Sequence, residues 1–207
     1  VVEYINTKWV IWNELKRLLA LPVIRLYFLG QGVPWGKNWR ILGTPIIQKS
    51  TGSQIKLGDN LILRSWRSSN PVAPYHPVFL STRTAKARIL IGEGCGITGG
   101  SIIATNRVEI GNRTLVGGNC LITDTDFHPL NKDDRHEDSK EISSQPVFIG
   151  SDVFIGTQTI ILKGSTIGEG SVVGAGSVVS GEIPANVVAA GNPAKVLRHL
   201  HERRSSA

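Results

Sequence analysis

Three side chains able to take part in proton transfer occupy alternate positions in "ITDTDFHPLN", residues 122–131: Asp124, Asp126 and His128. Alternate side chains of an extended chain share a face, and Pro129 holds His128 to extended conformations. An imidazole can accept a proton on one ring nitrogen while a carboxylate holds the other and fixes the tautomer, which is the arrangement of a general base. Asp126, Asp124 and Glu141 are all candidates for the orienting carboxylate, and Asp126 is favoured as the nearest on the same face. A solvated acidic loop is the alternative, because seven side chains between 124 and 141 are carboxylates.

The element that must position this histidine is a repeat. Ile149, Ile155, Ile161, Ile167, Val173 and Val179 stand six residues apart, and Val153, Thr159, Ser165, Ser171, Ser177 and Ile183 follow each by four. The pattern occurs earlier at Ile91 and Ile97, with Cys95 and Ser101, and at Ile110 and Val116, with Thr114 and Cys120. A period of six fits neither a helix nor a simple half-buried strand. It fits a short strand and a tight turn, repeated, with the aliphatic inward and the small residue in the corner. Gly150, Gly156, Gly168 and Gly174 follow the aliphatics, where a turn would use their permissive backbone. The fold expected is mainly β: a parallel β-helix of hexapeptide repeats over 51–187, interrupted by a protruding loop at 124–146. Both cysteines are expected to be small core residues.

The flanks differ. Residues 1–50 are expected to form an N-terminal helix and an extended lead-in. In "YINTKWVIWNELKRLL", Trp9, Trp12, Leu15 and Leu19 alternate with Lys8, Lys16 and Arg17 as in an amphipathic helix. Such a helix could pack on the β-helix or a neighbouring subunit, or rest on anionic lipid. Residues 188–207 are expected to form a C-terminal extension and basic tail. At 207 residues and 41% hydrophobic, the chain can bury one main core.

The net charge of +7 is concentrated at the ends: seven Lys or Arg against two acids in 1–50, and four against one in 195–207. That placement suits phosphates or a lipid headgroup layer, and with no recognition motif a nucleic-acid partner is not expected. Two cysteines without C-x-x-C spacing speak against a disulfide framework. The apolar run 18–30 is broken by Pro22 and Arg25 and is too short to span a membrane. No signal peptide is evident, so the expected compartment is the cytoplasm, with a peripheral place at the inner membrane face as a variant.

The repeat array, "TDFHP", the loop after it, "PVFIG" with "VFIG" repeated, "VVGAGSVVS" and the ending "IPANVVAAGNPAKVLR" together resemble the hexapeptide acyltransferases. The resemblance spans about residues 55–198 and is to the sugar O-acetyltransferase branch, which includes the galactoside and maltose acetyltransferases. It implies a left-handed β-helix, a homotrimer with active sites between subunits, and acetyl-CoA as co-substrate without a metal. His128 matches the family's catalytic histidine. Thr157, Ala175 and Ser180 match positions along the pantetheine arm, and Lys195 and Arg198 match basic residues near the nucleotide phosphates.

Phe154 stands where the family commonly has Trp. Where the galactoside enzymes carry an Asn for the acceptor, Thr98 and Ser101 are the nearest polar candidates. His76 lies in "NPVAPYHPVFLST", which resembles a segment of polysaccharide-associated members; it is a candidate for the acceptor site, with a structural role as the alternative. The implied acceptor is a saccharide or glycolipid hydroxyl used in surface polysaccharide or lipopolysaccharide assembly. Amino sugars, serine, antibiotic hydroxyls and a noncatalytic scaffold are the competing readings. A zinc-dependent carbonic anhydrase shares this fold, but His76, His128 and His136 lack its close paired spacing. His136, His199 and His201 read as solvated.

Overall fold

Through residues 40–191 the chain has two ways to bury its recurrent aliphatics while satisfying its backbone: pair each short strand with the one a full coil away, or leave the strand edges bare. It takes the first. In this computed structural model, which describes residues 7–137 and 142–200, three parallel sheets form the faces of a left-handed β-helix. Glu141 and His201 lie outside the described residues. Each coil contributes one strand per sheet: Arg40–Leu42, Ile46–Lys49 and Gln54–Leu57 make the first, and Val172–Val173, Val178–Val179 and Glu182–Ile183 the sixth. The sheets are called A, B and C in that order.

Pairing registers stack like on like. In sheet A, Ile41, Leu63, Ile97, Val116, Ile155 and Val173 form one inward column ending on Ala189, and all are buried. The six repeat aliphatics from Ile149 to Val179 are buried as expected, and Thr159, Ser165, Ser171 and Ser177 fill buried corners. Their hydroxyls are satisfied by backbone carbonyls, as when Ser171 donates to Pro184 at 2.6 Å. Ser101 falls out of the corner register: Ile102 points inward one residue early, after Gly99 and Gly100, and Ser101 is only half-buried.

The glycines that follow the aliphatics serve a different purpose from the one expected. The left-handed backbone falls two residues later, at Asp152 (φ 57), Gln158 (φ 58), Gly164 (φ 73), Gly170 (φ 69) and Gly176 (φ 69). Gly156 is needed for close approach, since a Cβ there would sit 2.4 Å from the amide nitrogen of Ala175 in the next coil.

Cys95 and Cys120 are buried corner residues whose thiols donate to the Gly111 and Gly156 carbonyls, each at 3.1 Å. Desolvation raises both thiol pKa values, that of Cys120 to about 11. Because the thiolate is the reactive form, the folded protein is expected to yield no alkylated cysteine with iodoacetamide at neutral pH, and two after unfolding. Mass spectrometry reads the count, and rapid labelling of the native protein would contradict the buried placement.

The coils begin at Arg40 and not at residue 51, so the segment expected as an extended lead-in is already the first coil. Ile41 and Ile47 keep the six-step, but the turn at Ser50–Ser53 stretches the next interval to Ile55, which hides the period. The N-terminal helix, α1 (Lys8–Gly30), runs on through Pro22 and closes the open end. Its docked side chains are Asn13, Ile24 and Phe28, whereas Trp12, Leu15 and Leu19 of the expected apolar face point outward. Tertiary packing selected that face: Phe28 meets Trp35 and Trp39 edge-on at 5.4 Å each, and Asn13 donates to the Ser68 carbonyl at 2.6 Å. At the other end Val187–Gly191 starts a seventh coil, which Ala194–His199 closes as an antiparallel hairpin.

Candidate functional site

Two insertions leave the column. The longer leaves the B–C corner after the strand Leu121–Thr123 and returns at Val147–Ile149. Asp124, its first residue, is fully buried, and its carboxylate accepts the backbone N–H groups of Thr105 (2.7 Å), Asn106 (2.6 Å) and Arg107 (2.7 Å) in the coil before it. Thr125 bridges Ser144 across the loop root. Asp126 pairs with Lys163 from the next coil, and the same ammonium donates to Ser143 Oγ at 2.7 Å.

His128 lies two residues beyond this clamp. The alternation that would put Asp124, Asp126 and His128 on one face fails at Phe127, whose φ of 65 is left-handed. For a bulky side chain that conformation is uncommon and strained, and such strain persists where the surrounding structure holds it. His128 hydrogen-bonds neither aspartate. It is exposed, with no hydrogen bond to another described residue, while Asp126 is committed to Lys163 and Asp124 to three amides. The carboxylate–imidazole pair expected from spacing is therefore not formed within the described residues.

The second feature is a groove of about 460 Å³ along sheet A and its corner with B. Val116, Gly117, Gly156, Val173 and Gly174 line it on successive coils, Phe154 and Leu115 flank them, and Thr98, Thr157 and Ala175 all open onto it. Thr157 Oγ1 donates to the Gly118 carbonyl at 2.6 Å, which fixes its methyl and its backbone in place. Farther along the same sheet lies the hairpin strand carrying Lys195 and Arg198, both exposed. Paired strands are spaced about 4.8 Å apart, so the stripe from Thr98 to that strand runs for roughly 25 Å, which suits an elongated ligand with an anionic end.

One wall of this groove comes from the stretch that the sequence singled out only for His76. Residues 65–78, between Ile62–Arg64 and Phe79–Thr82, form a second insertion that brings Asn70 and Val72 to the groove. It is tied down where Tyr75 N–H donates to Asn119 Oδ1 (2.7 Å) and Gln158 Nε2 donates to Tyr75 Oη (2.9 Å). The signal was available, since Pro71, Pro74 and Pro77 interrupt the aliphatic count between Leu63 and Leu80. His76 rides on this insertion beside Gly99, exposed, its Nδ1–H donating to the Pro77 carbonyl at 2.7 Å. Ser101 does not line the groove.

Within one chain the candidates fall into two groups. Thr98, Thr157 and Ala175 share the groove; His128 and Ser180 belong to the B–C corner, on the far side of sheet B. Among the described residues, no three His, Cys, Asp or Glu side chains gather as a metal site requires.

The family model described as "Bacterial transferase hexapeptide (six repeats)" matches residues 146–181. No curated protein matches the chain. Among solved structures, galactoside acetyltransferase in complex with coenzyme A aligns with a TM-score of 0.57 and 34% identity, over 73% of this chain and 67% of that one. A hexapeptide-repeat containing acetyltransferase from Vibrio cholerae gives 0.55 and 26%, over 73% and 76%. A polysialic acid O-acetyltransferase gives 0.65 at 23%, over 83% and 77%, a likeness of fold. The first of these likenesses covers far more of the chain than the six matched repeats, at 34% identity over 73% of it, and on that ground the chain belongs to the hexapeptide-repeat acyltransferases.

Proposed function

We propose that the protein is a homotrimeric O-acetyltransferase that moves the acetyl group of acetyl-CoA to a hydroxyl of a saccharide, with His128 as general base. The observation that carries this reading is the groove. It collects Thr157 and Ala175 on a narrow, largely apolar track and leads toward Lys195 and Arg198, matching a ligand with a slender arm and a polyphosphate end. A galactoside acetyltransferase that is 34% identical is described with coenzyme A bound.

The separation of His128 from the groove gives the trimer its reason. One copy supplies the groove and the next presents the B–C corner with His128 and Ser180, so neither copy alone holds a complete site. His128 would remove the proton of the acceptor hydroxyl as its oxygen attacks the thioester carbonyl, and afterwards pass that proton to the departing thiolate. Lys163 positions it indirectly, by pinning Asp126 and Ser143 at the loop root. Thr98, which lines the groove, and His76, on the proline-rich insertion beside Gly99, are proposed acceptor contacts, for an acceptor used in surface polysaccharide or lipopolysaccharide assembly.

The test is mass spectrometry of sugars, nucleotide sugars and glycolipids incubated with acetyl-CoA and the protein. The expected product carries one added acetyl group that mild base removes, as an ester requires. An acetyl group stable to base would place the transfer on nitrogen and overturn the O-acetyl reading. Failure of acetyl-CoA to protect residues of the groove from hydrogen exchange would overturn the cofactor track itself.

A further inference from the structure

The helix that closes the first coil leaves most of its apolar side chains uncovered. Ile11, Leu15, Leu18, Leu19, Leu26 and Leu29 recur at helical spacing on the side away from Ile24 and Phe28, with Leu19 74% and Leu26 69% exposed. A contiguous apolar face of this size marks an interaction surface. At about 1.5 Å per residue, the stretch from Ile11 to Leu29 is roughly 27 Å long.

The charges around it identify the occupant. Residues 8–30 carry four cations, Lys8, Lys16, Arg17 and Arg25, and a single acid, Glu14, for a net +3. Glu14 is already paired with Arg17 at 2.8 Å and with Arg40. Lys16 stands over Trp12 (5.3 Å) and Arg25 over Trp35 (5.1 Å), so both cations flank aromatic rings beside the apolar stripe. Past Leu29 the stripe adjoins a cleft lined by Lys49 and Lys56, with Asp59 its one acid. Bringing copies of this helix together would place net-positive faces in apolar contact, which like-charge repulsion opposes. An anionic bilayer surface accepts the apolar stripe and neutralises the cations at once. No helix of the described residues is long and apolar enough to cross a membrane.

We propose that α1 lies in the plane of an anionic lipid surface, its Ile11–Leu29 stripe in the headgroup–acyl boundary and its basic residues on lipid phosphates. This holds whichever acceptor the enzyme uses. The test is flotation of the protein with phosphatidylcholine vesicles, with and without about one-third phosphatidylglycerol; at roughly a fivefold gain per cation near the surface, binding should be on the order of a hundredfold tighter with the anionic lipid and should fall with salt. Leu19→Glu with Leu26→Glu should abolish flotation while leaving the melting temperature and the sedimentation coefficient unchanged. Absence of wild-type binding to the anionic vesicles would overturn the proposal. So would a variant that dissociates into single chains, since the stripe would then be a contact between copies.

Discussion

His128→Ala is expected to lower acetyl transfer by roughly 10²- to 10⁴-fold, the usual worth of a positioned general base, with coenzyme A affinity and thermal stability unchanged. The physical ground is the exposure of the imidazole and its lack of hydrogen bonds to other described residues, so removing it disturbs no packing and no buried partner. The comparison of kcat and KM decides the role. A fall in kcat with KM for acetyl-CoA unchanged is the signature of a group acting on the transferring proton. A rate within a few-fold of wild type would remove His128 from the mechanism and turn attention to His76. Its Nδ1–H is held by the Pro77 carbonyl, which leaves Nε2 as the open acceptor of the neutral ring.

Asp124→Ala is expected to act on the fold. Three backbone donors of the preceding coil, those of Thr105, Asn106 and Arg107, converge on this buried carboxylate. Hydrogen bonds to a charged acceptor contribute about 1.5–3 kcal/mol each, and stranded donors add a desolvation cost. Even with non-additivity, a loss of about 3–5 kcal/mol is expected, enough to lower Tm by several degrees or to leave the protein insoluble. Asp124→Asn keeps one acceptor oxygen and should fall between the two in urea denaturation. The folded Asn variant should retain kcat within a few-fold. A large drop in kcat at unchanged stability would instead mean that Asp124 serves His128 and that the three amides are incidental.

How far the sequence reaches is clearest at single residues. Ile149, Ile155, Ile161, Ile167, Val173 and Val179 could be assigned inward from spacing alone, and all are buried. So could the corners at Thr159, Ser165, Ser171 and Ser177. These assignments hold because a coil buries each aliphatic against its equivalent one coil away, so local repetition already contains the tertiary contact. Resemblance, and not periodicity, supplied the hand of the helix, and it also singled out Thr157 and Ala175, which the structure gathers in one groove.

Where a contact joins unlike segments, spacing gave no guide. Asp126 meets Lys163, 37 residues on, because the loop root happens to sit above that coil. The left-handed Phe127 cancels the alternation that had set His128 beside two carboxylates. Likewise, the docked face of α1 was chosen by Trp35 and Trp39 around Phe28, not by the helix's own distribution of leucines. The sequence by itself therefore determined the regular coils, their inward residues and the histidine at their interruption. Only the tertiary structure decided what each loop carboxylate holds, which face of the helix stays open, and that His128 and the groove lie on different corners of one chain. Repeats encode their own neighbours, whereas contacts between unlike segments depend on where the whole chain brings them.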